Sequence, residues 1–373
     1  MVRKYYDSPC LVDIAVTNRC NLKCDYCSAE SGPFASKEGE MTVDELNQLF
    51  MELNSMNVHR VALTGGEPFA RKDMLSIIEN FNKYNFSKVL NTNGTLITDN
   101  IAHQLSKFNL DRICVTIDSY SPEGHDCVRG RGSFKKAIKG IKHLQRYNLP
   151  VSTLFTLNKN NVNDLIKTIR LNDLLGIEHM SVMVVCPTGR ASDASILTDK
   201  ENWYPVFLEL SELMKSNEFN VNFKIVPPNE SDIFWTHYFP LAHYGRLDLL
   251  SAWGQDLVGF SKPSKREISC QAGVKACSIS HQGNVYGCDL MNGIEELIAG
   301  NVKIQKFREI WNDSEVFKKL REISFDSISG KCSLCPHEWC GGGCRCTALE
   351  LDGSLYGSDL TCFWNESEVF ING

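Results

Sequence analysis

Short runs of β-branched and other apolar residues alternate with longer helix-period stretches through the first two-thirds of the chain, the pattern of an α/β protein. LVDIAVT at 11–17 predicts a strand. After a cysteine-bearing loop, a helix is predicted from about Thr42 to Asn57, where Thr42 and Glu45 have capping-box spacing. RVALT at 60–64 predicts the next strand, followed by a helix around 72–83. KVLNT at 88–92 and RICVTID at 112–118 then read as strands enclosing a helix around 98–108. In SFKKAIKGIKHL, residues Phe134, Ala137, Ile138, Ile141 and Leu144 share one helical face. VSTLFTL at 151–157 and HMSVMVV at 179–185 read as strands on either side of a helix near 162–175. The next helix is expected to begin after Thr198, whose spacing to Glu201 repeats the capping box, and to end near Lys215. VNFKIV at 221–226 is a later strand, closed by Pro227 and Pro228.

Six strand–helix cycles therefore lie between residues 11 and 217. Parallel strands need crossover helices, which gather the loops beyond the strand C-termini. A curved, incomplete barrel and an open doubly wound sheet both satisfy the element pattern. The segment 229–269 carries Phe234, Trp235, His237, Tyr238, Phe239, His243, Tyr244 and Trp253, so it reads as a substrate-facing cover or as a packing surface.

With 373 residues, 43% of them hydrophobic and only 12 prolines, the chain is globular rather than disordered. A net charge of -6 supplies no broad positive field, so no nucleic-acid partner is expected. The longest apolar stretch, 180–186, falls far short of the roughly 20 residues that span a bilayer. The N-terminus lacks the apolar run of a secretory signal, so a cytoplasmic location without membrane attachment is expected.

The cysteines change the picture more. There are 16, and in a reducing compartment their clustering favours metal or iron–sulfur ligation over disulfides. Cys20, Cys24 and Cys27 form CxxxCxxC directly after the first strand. Three thiolates can hold three irons of a cubane and leave the fourth open, a zinc loop with a distant fourth ligand being the alternative. Gly65-Gly66-Glu67-Pro68 follows the second strand, where bare glycines permit close backbone approach and Glu67 can receive hydrogen bonds from a cationic amine. A strand-ending turn is its plainer reading. Towards the C-terminus, Cys270, Cys277, Cys288, Cys332, Cys335, Cys340, Cys344 and Cys362 supply eight thiolates, enough for two further clusters or for zinc sites. The glycines of GGGC at 341–344 would let backbone bend around inorganic sulfur.

Placed in this order, CxxxCxxC and GGEP resemble the radical S-adenosylmethionine (SAM) enzyme family, and residues 270–362 look like its SPASM auxiliary-cluster domain. The resemblance implies an α/β fold: a curved partial (β/α)6 barrel over 1–228, the connecting segment 229–269 and a C-terminal cysteine-rich auxiliary-cluster domain over 270–373. It implies that Cys20, Cys24 and Cys27 hold a 4Fe-4S cluster whose open iron takes the amino and carboxylate groups of S-adenosyl-L-methionine. Gly65, Gly66, Glu67 and Pro68 would border that cofactor, with Glu67 near its amine. Tyr26 matches a residue that borders adenine in the family, and Asn93 and Thr116 fall where relatives approach the ribose; packing and turn roles are their alternatives. Ser119 replaces the family's final glycine after the fourth strand. Arg129 and Arg190 lie in family-like loop patterns, either meeting a carboxylate or simply solvated.

For the auxiliary clusters, three 4Fe-4S clusters in all, the resemblance groups Cys270, Cys277, Cys288 and Cys344 around one and Cys332, Cys335, Cys340 and Cys362 around the other. Cys346 is a spare thiol nearby, and the Cys335–Cys340 spacing is one residue short of the family's. Asp289 beside Cys288 resembles the Cys-Asp pair of anaerobic sulfatase-maturating enzymes, which implies a catalytic base; local hydrogen bonding is the alternative. His281 and His337 read as packing residues. The family implies that a radical formed from SAM abstracts a substrate hydrogen. The leading expectation is oxidative maturation of a ribosomally made peptide by an intramolecular cross-link. Formylglycine formation, peptide epimerisation, small-metabolite modification and a noncatalytic electron-transfer protein are the alternatives. Expected partners are the precursor peptide or protein, an electron donor such as flavodoxin or ferredoxin, and a separate peptide-recognition protein.

Overall fold

The computed structural model describes residues 5–226, 234–254, 267–337 and 340–364. Pro227, Pro228 and the stretches 229–233 and 255–266 of the connecting segment lie outside the described residues. In chain order the elements are β1 (Leu11–Ala15), α1 (Val43–Ser55), β2 (Arg60–Thr64), α2 (Met74–Phe81), β3 (Ser87–Thr92), α3 (Asp99–Leu105) and β4 (Arg112–Thr116). Then come α4 (Pro122–Arg129), α5 (Ser133–Arg146), β5 (Val151–Leu157), α6 (Leu165–Leu174), β6 (His179–Val184), α7 (Lys200–Lys215), β7 (Asn222–Val226) and α8 (Phe239–His243). The C-terminal part adds β8 (Ala276–Ile279), β9 (Asn284–Tyr286), β10 (Gly300–Asn301), α9 (Phe307–Asp313), α10 (Glu315–Glu322), α11 (Lys331–Leu334) and α12 (Arg345–Asp352).

The chain packs as two compact units, one of residues 1–117, 121–154 and 271–322, the other of 118–120, 155–270 and 323–373. In the first, β1, β2, β3, β4 and the start of β5 pair in parallel, each with its successor in sequence. The order never reverses among them, so this part has no doubly wound switch point; it is an open, partial parallel sheet of the barrel type. Val61, Ala62 and Leu63 of β2 and Ile113, Cys114 and Val115 of β4 are all buried, as expected of parallel strands covered on both faces. Thr42 closes the anticipated capping box: its hydroxyl accepts from the Glu45 amide at 3.2 Å while the Glu45 carboxylate accepts from the Thr42 amide at 2.7 Å.

Sequence periodicity gave no sign of the other edge of this sheet. β8 adds in parallel beside β1, Val12 opposite Cys277, and β9 and β10 continue antiparallel. These strands are two to four residues long, too short for a period to declare itself. The pattern also passed over α4, whose start is set by Ser121 capping the Gly124 amide at 3.2 Å. Within α5 the tightest position is Gly140, where a Cβ would stand 2.2 Å from the Gly94 carbonyl oxygen, while Phe134 and Ile138 remain half-buried.

In the second unit β6 and β7 are parallel, with His179 opposite Asn222. The cap of α7 falls one residue beyond the expected threonine: Asp199 accepts from the Asn202 amide at 2.9 Å, and Thr198 is buried. Part of the aromatic segment packs inward, while His243 and Tyr244 stay exposed. Trp235, His237 and Phe239 are buried, the Trp253 ring stacks on Phe207 of α7 at 4.9 Å, and Trp203 of α7 donates to the Thr236 carbonyl at 2.9 Å.

Candidate functional site

Cys20, Cys24, Cys27, Tyr26, the GGEP turn, Asn93 and Thr116 lie at or just beyond the ends of β1, β2, β3 and β4, and all belong to the first unit. The cysteine loop is anchored before its first thiol. Arg19 bonds Glu40 bidentately, at 3.1 and 3.0 Å, and its amide donates to the Thr17 hydroxyl at 3.0 Å. Arg71, buried and paired with Asp73, donates to the carbonyls of Val16 and Met41 at 2.8 and 2.9 Å. Cys20 is buried; Cys24 and Cys27 are half-buried. The Leu22 amide donates to the Cys20 sulfur at 3.4 Å. Burial is the main force pushing the free Cys20 thiol up to about 11, with the charges of Glu67, Cys24 and Cys27 adding to it and the Leu22 amide opposing. Cys20 therefore feels the other two sulfurs, and an iron centre would remove the thiol protons outright.

No three His, Cys, Asp or Glu side chains among the described residues converge as they would on a single metal ion. A cubane asks for something else, one thiolate per iron, and the three spaced thiols of this loop fit that demand.

The GGEP turn is locked onto this loop. Gly66 donates to the Thr17 carbonyl and Glu67 to the Arg19 carbonyl, both at 2.8 Å. A Cβ at Gly65 would stand 2.3 Å from the Thr17 carbonyl oxygen, and one at Gly66 would stand 2.3 Å from that of Arg19. Pro68 is buried at the start of the short helical turn that follows. The Glu67 carboxylate is fully buried and accepts from the Thr92 hydroxyl at 2.7 Å, the Asn93 amide at 2.7 Å and the Phe69 amide at 3.2 Å. Burial raises its pKa, opposed by those bonds and by the nearby charge of Arg129. Asn93 reaches back, its side-chain amide 3.0 Å from Asn21 and 3.8 Å from the Cys20 sulfur. Thr116 ends β4 half-exposed.

Two residues named from sequence find partners here. Arg129 is not solvated: it is buried, donates to the Tyr26 hydroxyl and lies over that ring at 5.4 Å. Ser119 is turned into the second unit's interior, where its hydroxyl donates to Asp164 at 2.6 Å.

Cys277, buried on β8, and Cys288, half-buried after β9, also lie in the first unit. Asp289 follows at the start of a single helical turn and keeps an open surface, yet protein crowds it closely enough to raise its carboxyl pKa. Sequence reading missed its companion, Asp13 of β1. Burial, then the charge of Asp289, lifts Asp13 to about 7, with Arg60 opposing. The available signal was an acid set between apolar residues in a parallel strand.

The remaining C-terminal cysteines lie in the second unit. Cys270, Cys332, Cys335, Cys340 and Cys362 are half-buried, and Cys344 and Cys346 are buried. Burial, then the charge of Cys340, pushes the Cys362 thiol up, and Lys331 opposes while donating to the Cys362 carbonyl at 2.8 Å. The Cys344 amide donates to Asp359 at 2.7 Å. Arg345, fully buried, holds the GGGC bend by donating to the carbonyls of Gly342, Gly343, Leu355 and Gly357. His337 packs against Phe239, ring centroids 5.0 Å apart, and His281 is half-buried with its pKa lowered chiefly by burial.

Family models match the chain as radical SAM superfamily over residues 14–171 and as an iron-sulfur cluster-binding domain, SPASM, over residues 270–336. The chain thus carries a radical SAM domain and a C-terminal SPASM domain, whose cofactors are S-adenosyl-L-methionine and 4Fe-4S clusters. It is 29% identical to the AdoMet-dependent heme synthase of Methanosarcina barkeri, over 96% of this chain and 97% of that protein. It is 25% identical to the mycofactocin maturase MftC of Mycobacterium tuberculosis, over 97% of this chain and 85% of that one. Among solved structures it resembles SuiB of Streptococcus suis bound to S-adenosylmethionine, with a TM-score of 0.75 at 16% identity over 96% of this chain and 78% of SuiB. No helix among the described residues is long and apolar enough to cross a membrane.

Proposed function

We propose that this chain oxidises a ribosomally made peptide and closes an intramolecular cross-link in it. The observation that carries the reading is the placement of Asp289 directly after Cys288, where burial raises its proton affinity and its charge in turn raises that of Asp13. Joining a C–H carbon to a second X–H group removes one hydrogen atom, one proton and one electron. Bound SAM and its cluster supply the hydrogen-abstracting radical. Asp289 receives the proton, and the cluster that its neighbour Cys288 helps to hold takes the electron. Cys20, Cys24 and Cys27 hold the SAM-binding cluster; Tyr26, Gly65, Gly66, Glu67, Pro68, Asn93 and Thr116 surround the cofactor. Cys270, Cys277, Cys288 and Cys344 take one auxiliary cluster, and Cys332, Cys335, Cys340 and Cys362 the second. Asn93 orients the loop through Asn21 and the Cys20 sulfur. An electron donor such as flavodoxin or ferredoxin and a separate peptide-recognition partner complete the system. Similarity to the maturase MftC over 97% of this chain supports a peptide substrate, as does the fold shared with SuiB, whose structure has also been solved bound to its precursor peptide SuiA.

A second reading is favoured by the heme synthases, which match 94–96% of this chain at 27–29% identity: a tetrapyrrole replaces the peptide, and the same base and electron acceptor serve. Anaerobic incubation of the reconstituted enzyme with SAM, reductant and either candidate peptides or carboxylated porphyrins separates them by mass spectrometry. A peptide two hydrogens lighter with a new internal bond supports the proposal. A modified porphyrin beside untouched peptide favours the second reading, an aldehyde at serine or cysteine favours formylglycine formation, and inversion without mass change favours epimerisation.

A further inference from the structure

Arg321, on α10, is 1% exposed, and no carboxylate among the described residues pairs with it. Its guanidinium carbon lies 3.7 Å from the ring centroid of Tyr5, 4.8 Å from that of Trp311 and 5.4 Å from that of Phe317. Two of its nitrogens are used: Nε donates to the Gly273 carbonyl and one terminal nitrogen to the Trp311 carbonyl, both at 2.7 Å. The other terminal nitrogen is buried without a hydrogen-bond partner. Aromatic faces offset part of the cost of an enclosed cation, but they do not neutralise it.

What lies beside this charge is the turn that presents two thiols. The Gly273 amide donates to the Ala276 carbonyl at 2.9 Å and to the Gly287 carbonyl at 3.3 Å, the residues immediately before Cys277 and Cys288. Gly273 itself is pressed against Phe317 and Leu320 of α10; a Cβ there would meet them at 3.1 and 3.4 Å. One residue thus braces, from behind, the backbone that carries both cysteines. The buried Cys277 thiol is raised by burial and by Asp13, and the charge of Arg321 pulls the other way.

We propose that Arg321 is the fixed counter-cation of the auxiliary cluster held by Cys277 and Cys288, a positioning and potential-setting residue whose unpaired charge is matched by the cluster's thiolates. The inference rests on the reading that these two cysteines ligate a cluster. A fixed cation favours the more negative redox state, so Arg321 raises that cluster's reduction potential and slows its loss.

The test uses full-length, anaerobically reconstituted protein in which Cys20, Cys24 and Cys27 are replaced by alanine, leaving only auxiliary iron. Arg321→Met keeps an apolar stem and removes the charge; Arg321→Lys keeps the charge. Redox titration followed by electron paramagnetic resonance should show one auxiliary potential lowered in Arg321→Met by about 59 mV, a tenfold change in a one-electron equilibrium. Arg321→Lys should stay near the parent. Iron release to a chelator should quicken about tenfold in Arg321→Met, and the loaded protein should lose more melting temperature than the metal-free protein, which loses only the bonds to the Gly273 and Trp311 carbonyls. Equal destabilisation of metal-free and loaded protein with unchanged potentials would overturn the proposal and leave Arg321 a packing residue. A parent that binds no cluster iron refutes the cluster reading itself, and the inference with it.

Discussion

The Gly66→Ala substitution asks whether the GGEP turn works by holding the cysteine loop or only by its own flexibility. A Cβ at residue 66 stands 2.3 Å from the Arg19 carbonyl oxygen, 2.7 Å from its carbonyl carbon and 3.0 Å from the Asn18 carbonyl oxygen. All three are backbone atoms just before Cys20, so no side chain can swing aside. Bringing 2.3 Å out to the 3.0 Å limit of real Cβ contacts moves the loop by 0.7 Å. The same displacement would lengthen the 2.8 Å bond from the Glu67 amide to Arg19 to about 3.5 Å, past useful strength. Overpacking of this kind costs about 1–3 kcal/mol and the lost bond about 1 kcal/mol, together about 2–4 kcal/mol.

The functional consequence is larger than the stability one. A shift approaching 1 Å in the parts that position a reacting group costs about 100-fold in rate. Gly66→Ala is therefore expected to cleave SAM about 100-fold more slowly under strong reductant, with lowered iron retention at Cys20, Cys24 and Cys27. Gly32 is the matched control: it lies in the same loop, its carbonyl accepts from the Cys20 amide at 3.1 Å, and nothing stands within 4 Å of a Cβ there. Gly32→Ala should retain iron and activity. Iron quantification, 5'-deoxyadenosine formation and thermal denaturation are the assays. Parent-like values of all three in Gly66→Ala would refute the steric argument.

Replacing Cys20, Cys24 and Cys27 together by alanine should abolish SAM cleavage while some C-terminal iron remains; normal cleavage would sink the assignment of the SAM-binding cluster. Asp289→Asn should keep its iron and still transfer deuterium from labelled substrate into 5'-deoxyadenosine, while product formation falls about 100-fold if only the base is lost; full product formation with intact iron would reject that role. His237, its pKa pushed down to about 3 by burial, bonds Thr236 at 2.7 Å and meets the Phe207 and Trp253 rings at 5.0 Å. The unfolded histidine, near 6.5, binds the proton first, so stability is full above that pH and falls by about 1.4 kcal/mol per unit as pH drops towards 3. Denaturant titrations of the parent and His237→Gln between pH 7 and 4.5 should show a shallower slope in the variant, and identical slopes would exclude His237 as the source.

Sequence gave most directly what is local. Thr42 and Glu45 close a capping box within one turn, and CxxxCxxC and GGEP sit in the two loops where adjacent parallel strands end. Their neighbourhood was legible because β1 and β2 are consecutive and pair in register. What failed was whatever a distant segment decides. Arg129 read as meeting a carboxylate or as simply solvated, because nothing near it in sequence announces Tyr26, more than a hundred positions earlier, as its partner. Thr198 had the right spacing for a cap, but Asp199, one residue on, offers the stronger acceptor and takes the position.

Asp13 shows the same limit at the site itself. In LVDIAVT it is one polar residue in an alternating strand, which by periodicity belongs on a wetted face. That expectation takes no account of what pairs beside β1. In the structure β8, drawn from residues more than 260 positions later, pairs beside it and sets Ser278 opposite Asp13, with Cys277 opposite the neighbouring Val12. The hairpin it forms with β9 also brings Cys288 and Asp289, which follow directly after β9. The edge that encloses Asp13 is thus the same segment that presents the candidate base. The raised proton affinity of one carboxylate and the placement of the other are two results of a single strand pairing. No window around residue 13 contains that information, whereas an aspartate inside a run that otherwise reads as a central parallel strand is a local conflict, and such conflicts mark where long-range structure and function meet.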